Sequence, residues 1–319
     1  MTAFAYALEF GEIEPIKAFL DSGVVKINAG QGPERMPPLS WAAAYGRYEL
    51  CEWLLSQKAR TLSKDKYNRT PLMMAVKNGH VKVASLLLQH GSEWNHADSS
   101  SNTILHYAAG FGWKECIDLL VKHGANINAQ NMWKITPITI AMLKNYQGIV
   151  KELLKREDID VNGKDEEGRT LLTMAISDLS DPSVVDFIKF LVEKGADPTV
   201  VDTEGDTCLH RLASYNKNRR VYGHDDNDRA AKMRREKETL IKVTKFLIEK
   251  GAPLNALNSD KKTAFSIALE SNNVSILDIL SDSIKLSESP SLFFVFKQKI
   301  FDDRYKTLLI KLIKREQQS

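Results

Sequence analysis

One phrase recurs along the chain at a nearly constant interval. Its clearest copies are Thr70-Pro71-Leu72-Met73-Met74-Ala75, Thr103-Ile104-Leu105-His106-Tyr107-Ala108 and Thr136-Pro137-Ile138-Thr139-Ile140-Ala141, with weaker copies opening at Thr2, Pro37, Thr170, Thr207 and Thr263. Successive starts lie 35, 33, 33, 33, 34, 37 and 56 residues apart. A fixed period of this size requires small, similar units that cannot each bury an apolar face alone, so the units must stack. Each copy is followed by a second apolar helical stretch and often by Gly-Ala, as in Leu119-Leu120-Val121-Lys122-His123-Gly124-Ala125 and Phe190-Leu191-Val192-Glu193-Lys194-Gly195-Ala196. A polar turn such as Asp165-Glu166-Glu167-Gly168 or Asp202-Thr203-Glu204-Gly205 then leads into the next copy.

The chemistry of the phrase predicts its local structure. Thr is a helix N-cap, and Pro follows where its missing N–H is harmless. Small Ala residues let paired helices approach closely, and Gly124 and Gly195 suit the left-handed residue that ends a helix. Period and phrase resemble the ankyrin repeat, with its signature T-P-L-H-x-A, over roughly residues 2–280. The resemblance implies an all-α fold: an ankyrin-repeat solenoid of stacked helix-turn-helix units with β-hairpin fingers, plus a C-terminal helical tail. His stands in the fourth signature position only at His106 and His210; Ser40, Met73, Thr139, Thr173 and Ser266 replace it elsewhere. Its hydrogen-bonding role is expected to be weaker or absent in those repeats. The first copy opens at Thr2 with no finger or polar capping helix before it, whereas stacked repeats need capped ends. The sequence is therefore expected to be a piece of a longer chain, the alternative being a natural half-repeat that starts at Met1.

Two segments break the period. The seventh repeat exceeds it by 23 residues, placed at about 216–240, with eight basic and five acidic side chains. Residues 228–240 are good helix formers and predict an N-terminal extension of that repeat's second helix. The mixed signs argue against nucleic acid, whose phosphates the acids would repel. The second break is the tail, 281–319, in which Tyr305, Leu308, Leu309, Leu312 and Ile313 form an amphipathic stripe. It is expected to cap the open end of the array. A docking helix for a partner and a membrane-surface helix are the alternatives, the last disfavoured by the tail's small charge excess.

Composition narrows the functional classes. The 319 residues carry 44 Lys+Arg against 41 Asp+Glu, a net charge of +3, too little to coat nucleic acid. Insert and tail each carry a surplus of three positive charges, so the repeats themselves are slightly acidic. Cys51, Cys116 and Cys208 are scattered and read as packing residues of a protein in a reducing compartment. No apolar run is long enough to span a bilayer, and early Glu9, Glu12 and Glu14 are unlike a signal peptide, so a soluble cytoplasmic or nuclear protein is expected. Phosphate-loop, zinc-helix and nucleophile-elbow motifs are missing from the sequence, and Gly30-Gln31-Gly32-Pro33-Glu34-Arg35 has Arg where a dinucleotide loop needs its third Gly. The seven histidines show no metal spacing, so no catalytic residue, cofactor, metal or small-molecule substrate is expected.

What remains is surface. Ankyrin arrays bind partners along the finger tips and the exposed positions after the Ala of the first helix. Carried onto this chain, the resemblance implies Tyr45, Tyr67, Arg69, Lys77 and its neighbour Asn78, Phe111, Trp113, Met132, Trp133, Lys134, Leu143 and Lys144. Trp133 is the sharpest of these, an indole at a finger tip, and aromatics and Arg dominate interface energetics. The later fingers are acidic (Asp165, Glu166, Glu167; Asp202, Glu204, Asp206), which predicts a groove polarised along its length. The resulting expectation is a protein-interaction scaffold or adaptor. The alternatives are the substrate-recruiting region of a larger enzyme (a tankyrase-like poly(ADP-ribose) polymerase, a kinase or a ubiquitin ligase) and a subunit of a cytoskeletal or ciliary assembly.

Overall fold

From Thr70 onward, the signature threonines turn the chain from extended into helical backbone. Thr70 has φ −89° and ψ 164°, and its hydroxyl accepts the Met73 N–H at 3.3 Å; Thr136, Thr170 and Thr263 cap in the same way. In the computed structural model of the chain, residues 3–215 and 226–283 are described, with side chains from 230 in the second stretch, and in the tail only the helical residues Ile310 and Ile313. The described residues form eight helix pairs: α1 (Ala3–Phe10) and α2 (Ile13–Asp21), α3 (Pro38–Ala44) and α4 (Tyr48–Ser56), α5 (Pro71–Lys77) and α6 (Val81–Gln89), α7 (Ile104–Phe111) and α8 (Lys114–Lys122), α9 (Pro137–Leu143) and α10 (Gln147–Leu153), α11 (Leu171–Ala175) and α12 (Val184–Glu193), α13 (Cys208–Ser214) and α14 (Asp226–Glu249), and α15 (Ala264–Glu270) and α16 (Val274–Ser283). Every first helix begins one residue after a repeat start read from the sequence.

The chain divides into two compact units, Met1–Asp160 and Val161–Ser319. In the first, α1, α3, α5, α7 and α9 stack side by side, and α4, α6 and α8 form a second layer behind them. In the second unit α13 packs against both α11 and α15, and α14 against both α12 and α16. The signature alanines sit where the layers meet. Ala42, Ala75, Ala108, Ala141 and Ala268 have no exposed surface, and a larger side chain at any of them would overpack the seam.

The loss of histidine from the fourth signature position has a divided consequence. His106 Nδ1 accepts the Thr103 N–H at 3.0 Å, and its Nε2–H donates to the Ile135 carbonyl of the next repeat at 2.9 Å. His210 likewise serves Thr207 N–H and Lys262 O. Where Thr173 or Ser266 stands instead, the hydroxyl accepts the N–H of Thr170 (2.8 Å) or Thr263 (2.9 Å). At Thr173 and Ser266 the capping half of the role survives, whereas Met73 offers no such group and the Ser40 hydroxyl has no partner among the described residues, in line with the expected weakening. The short hydroxyl returns its own proton to the Thr170 or Thr263 carbonyl, which leaves the inter-repeat bond to histidine.

The fingers differ from the expected β-hairpins. Among the described residues there are no strands, only the isolated bridges Gln31–Met36 and Ala97–Thr103. The first finger is closed by the reciprocal backbone bonds of Gln31 and Met36, and a side-chain acceptor holds the later finger turns. Asp65 Oδ1 takes the N–H groups of Tyr67 and Arg69, Asp98 Oδ1 those of Ser100 and Asn102, and Asn131 Oδ1 those of Trp133 and Ile135, all at 2.8–3.0 Å. In the second unit Asp202 and Asn258 do the same. This Asx geometry satisfies amides that a strand ladder would otherwise pair.

The charged insert extends α14 as the composition predicts. Residues 230–238 lie outside the core, and the buried face starts at Thr239 and Leu240 and continues through Val243, Thr244 and Leu247. The remainder of the insert, 216–225, and the expected capping role of the tail lie outside the described residues. Among those residues no helix is long and apolar enough to cross a membrane.

Candidate interaction face

Neighbouring fingers of the first unit are joined backbone to backbone. Lys66 N–H donates to Glu34 O at 2.8 Å, Ser99 N–H to Tyr67 O at 2.9 Å, and Met132 N–H to Ser100 O at 3.1 Å. This ladder puts Glu34, Tyr67, Ser100 and Trp133 in line as successive tips. The first helices stack in the same order, so equivalent positions on α3, α5, α7 and α9 share one face.

The sequence-predicted residues fall into three groups on this frame. Phe111, Met132, Trp133, Lys134, Leu143 and Lys144 are exposed, as is Tyr67. Lys77 is half-buried at the end of α5, with Asn78 exposed beside it. Tyr45 is half-buried and stacked on Trp41, ring centroids 5.8 Å apart at 16°; burial and then the Glu9 carboxylate raise its phenol pKa.

Arg69 is placed differently from expectation, whereas Trp113 is 37% exposed as expected and in addition packs between repeats. Arg69 is only 7% exposed. Its Nε donates to Asp65 Oδ2 at 2.6 Å and its Nη2 to Glu34 Oε2 at 2.5 Å, which ties two fingers together. Its guanidinium also lies 4.6 Å from the Tyr67 ring centroid, so Arg69 orients that aromatic from within. Trp113 caps α8, and its indole rests against Gly79, where an added methyl would come within 2.8 Å of the ring; the indole N–H donates to Lys77 O at 3.2 Å. The same position holds Arg47, bonded to Glu9 O, and His80, bonded to Ala44 O. It is an inter-repeat clamp whose residue type varies.

Sequence reasoning passed over four aromatics of the same face, although positions four and eight after each repeat start contain them. Tyr6 and Phe10 on α1 are both exposed, with rings 4.4 Å apart. Trp41 lies beside Tyr45, and its indole N–H has no acceptor among the described residues. Tyr107 donates its hydroxyl to Asp98 Oδ2 at 2.7 Å, and burial raises its pKa well above the usual phenol value.

The acidic fingers of the second unit present less charge than their composition implies. Asp165, Asp202 and Asp206 are buried in their own turns. Arg169 pairs with Asp165 and Glu167, and Arg211 pairs with Asp202 and Glu204. Glu166, Glu167 and Glu204 are the carboxylates left exposed at those tips.

The nucleophile and ligand candidates take packing roles. All three cysteines are buried, and burial pushes the thiols of Cys51 and Cys208 up to about 12 and that of Cys116 to about 11, far from reactive thiolates. His90 and His123 donate Nδ1–H to the Leu86 and Leu119 carbonyls at 2.9 and 2.8 Å, which closes these helix ends. Among the described residues no group of His, Cys, Asp or Glu converges at metal-binding geometry.

The profile of ankyrin repeats matches residues 39–131 and 129–202 in three copies, about half of the chain. The chain belongs to the ankyrin-repeat family. Of its relatives, the poly(ADP-ribose) polymerase tankyrase of Caenorhabditis elegans is 31% identical over 164 residues, which is 50% of this chain and 7% of the tankyrase. A putative ankyrin repeat protein of Acanthamoeba polyphaga mimivirus is 27% identical over 147 residues, 44% of this chain and 24% of that protein. This ankyrin-repeat chain thus matches a small part of each relative's length.

Proposed function

We propose that this chain is a protein-interaction scaffold that takes a partner segment on the first-helix and fingertip face of repeats two to five. The observation that carries the reading is the apolar surface displayed there by two adjacent repeats. Phe111 is 45% exposed, Met132 55%, Trp133 42% and Leu143 54%. Contiguous apolar groups in water mark interaction surfaces, and an indole amid aliphatic neighbours is a typical energetic centre of one. The three unpaired, buried thiols support work in a reducing compartment, cytosol or nucleus. The test is affinity capture with wild-type chain and the Trp133→Ala/Phe111→Ala variant as baits. A partner retained by the first and lost by the second is the expected result; equal retention refutes the placement.

A second reading, a substrate-recruiting region of a larger enzyme, is favoured by one observation, the similarity to tankyrase. It predicts coding sequence for a catalytic domain contiguous with this chain in the full transcript, and a transcript without one eliminates it.

A further inference from the structure

Repeat four is cut down at two levels relative to its neighbours. At the finger tips, Tyr67 and Trp133 flank Ser99, Ser100 and Ser101, which offer only hydroxymethyl groups. On the helices beneath, Lys77, Gly110 and Leu143 hold the same position of α5, α7 and α9. The middle one has no side chain, and a methyl there would stand 3.0 Å from Ile140 Cγ2. Repeat four thus presents small groups at its finger tip and at Gly110, beside the exposed Phe111 and between the larger side chains of repeats three and five.

Its electrostatics have one sign. Lys66 and Lys134 stand beside the aromatic tips, and Lys77 and Lys144 at the ends of α5 and α9; none of the four is held in an ion pair among the described residues. The nearby carboxylates are already occupied. Asp65 holds Arg69 and two backbone amides, and Asp98 holds the Ser100 and Asn102 amides and the Tyr107 hydroxyl. Ammonium groups flanking an apolar floor complement a ligand that carries both carboxylates and a large apolar side chain. We infer that this lysine-flanked apolar face across repeats three to five takes an extended acidic segment of a partner protein, with an aromatic or large aliphatic side chain seated against Trp133. This deepens the proposed function and rests on it. Single-stranded nucleic acid is the less suited occupant. The finger arginine that could fork onto phosphate is committed to Asp65 and Glu34.

The test selects binders to the full chain from a displayed library of random peptides of about 12 residues, roughly 40 Å when extended. The expected binders are enriched in Asp or Glu together with Trp, Phe or Leu. Their affinity should fall about tenfold in the Lys66→Gln/Lys134→Gln variant, and again on raising salt to about 0.5 M. Thermal midpoints of the variants, all at exposed positions, report that the fold is intact. Neutral or basic binders that still lose affinity in Trp133→Ala overturn the acidic class and leave the binding face standing. Binders indifferent to Trp133→Ala, or a library that yields none, overturn both. A labelled single-stranded oligonucleotide that competes more strongly than any selected peptide overturns the choice of a protein segment.

Discussion

The Trp113 indole occupies the space a β-carbon would need at Gly79, which would stand 2.8 Å from the ring, and its N–H reaches the Lys77 carbonyl at 3.2 Å. Gly79 has φ +78°, a conformation that disfavours a β-carbon even before the ring is considered. Two independent penalties thus converge on one atom. Gly79→Ala should destabilise the chain by about 2 kcal/mol or more, read as a lowered urea midpoint with unchanged slope. Gly91→Ala, also at positive φ but with nothing within 4 Å of the added methyl, should show the backbone penalty alone.

His106 makes stability depend on pH. Burial holds its pKa below the usual imidazole value, outweighing the Ile135 carbonyl and Asp98, which act the other way. The unfolded chain therefore takes up the proton first as pH falls. The contribution is complete above about 6.5, the unfolded value, and is lost below it by up to about 1.4 kcal/mol per pH unit. Urea titrations at descending pH should show this loss, and His106→Thr should remove that part of the slope. The same variant should keep the cap and lose the bond to Ile135, lowering stability at neutral pH by about 1 kcal/mol.

Arg69→Ala should destabilise by about 2 kcal/mol, since it leaves the fully buried Asp65 carboxylate with its backbone donors only. Glu34, whose side chain is 44% exposed, rehydrates and adds little. Thermal melts of Arg69→Ala and Glu34→Ala should therefore differ markedly, and similar melts would contradict this division.

These contrasts show what a single sequence carries about the molecule. The period located all eight first helices because Thr and Pro act locally, through capping and a fixed φ. The charged insert was legible as a helical extension for a similar reason, propensity over consecutive residues. The burial of Arg69 and the packing of Trp113 on its neighbour were not legible, because each is decided by a group one repeat away, Glu34 or Gly79. Fingers without strands were missed because the repeat phrase does not reveal that Asp65, Asp98 and Asn131 satisfy the turn amides themselves. The candidate face was half legible: Phe111 and Trp133 stood out by position, whereas Tyr6, Phe10, Trp41 and Tyr107 follow from the same register and were passed over.

Exposed positions should separate binding from stability. Trp133→Ala and Leu143→Ala remove side chains that are about half in water, so each should shift the urea midpoint by no more than about 0.5 kcal/mol equivalent. A large loss of stability at Trp133 would mean that the indole belongs to the finger packing.

The most direct measurement is calorimetric titration of the captured partner, purified, into wild-type chain and into Trp133→Ala/Phe111→Ala at one ionic strength, after melts confirm that both are folded. A binding face on repeats two to five predicts a Kd at least about 30-fold weaker for the variant, the equivalent of about 2 kcal/mol. Equal dissociation constants would contradict it.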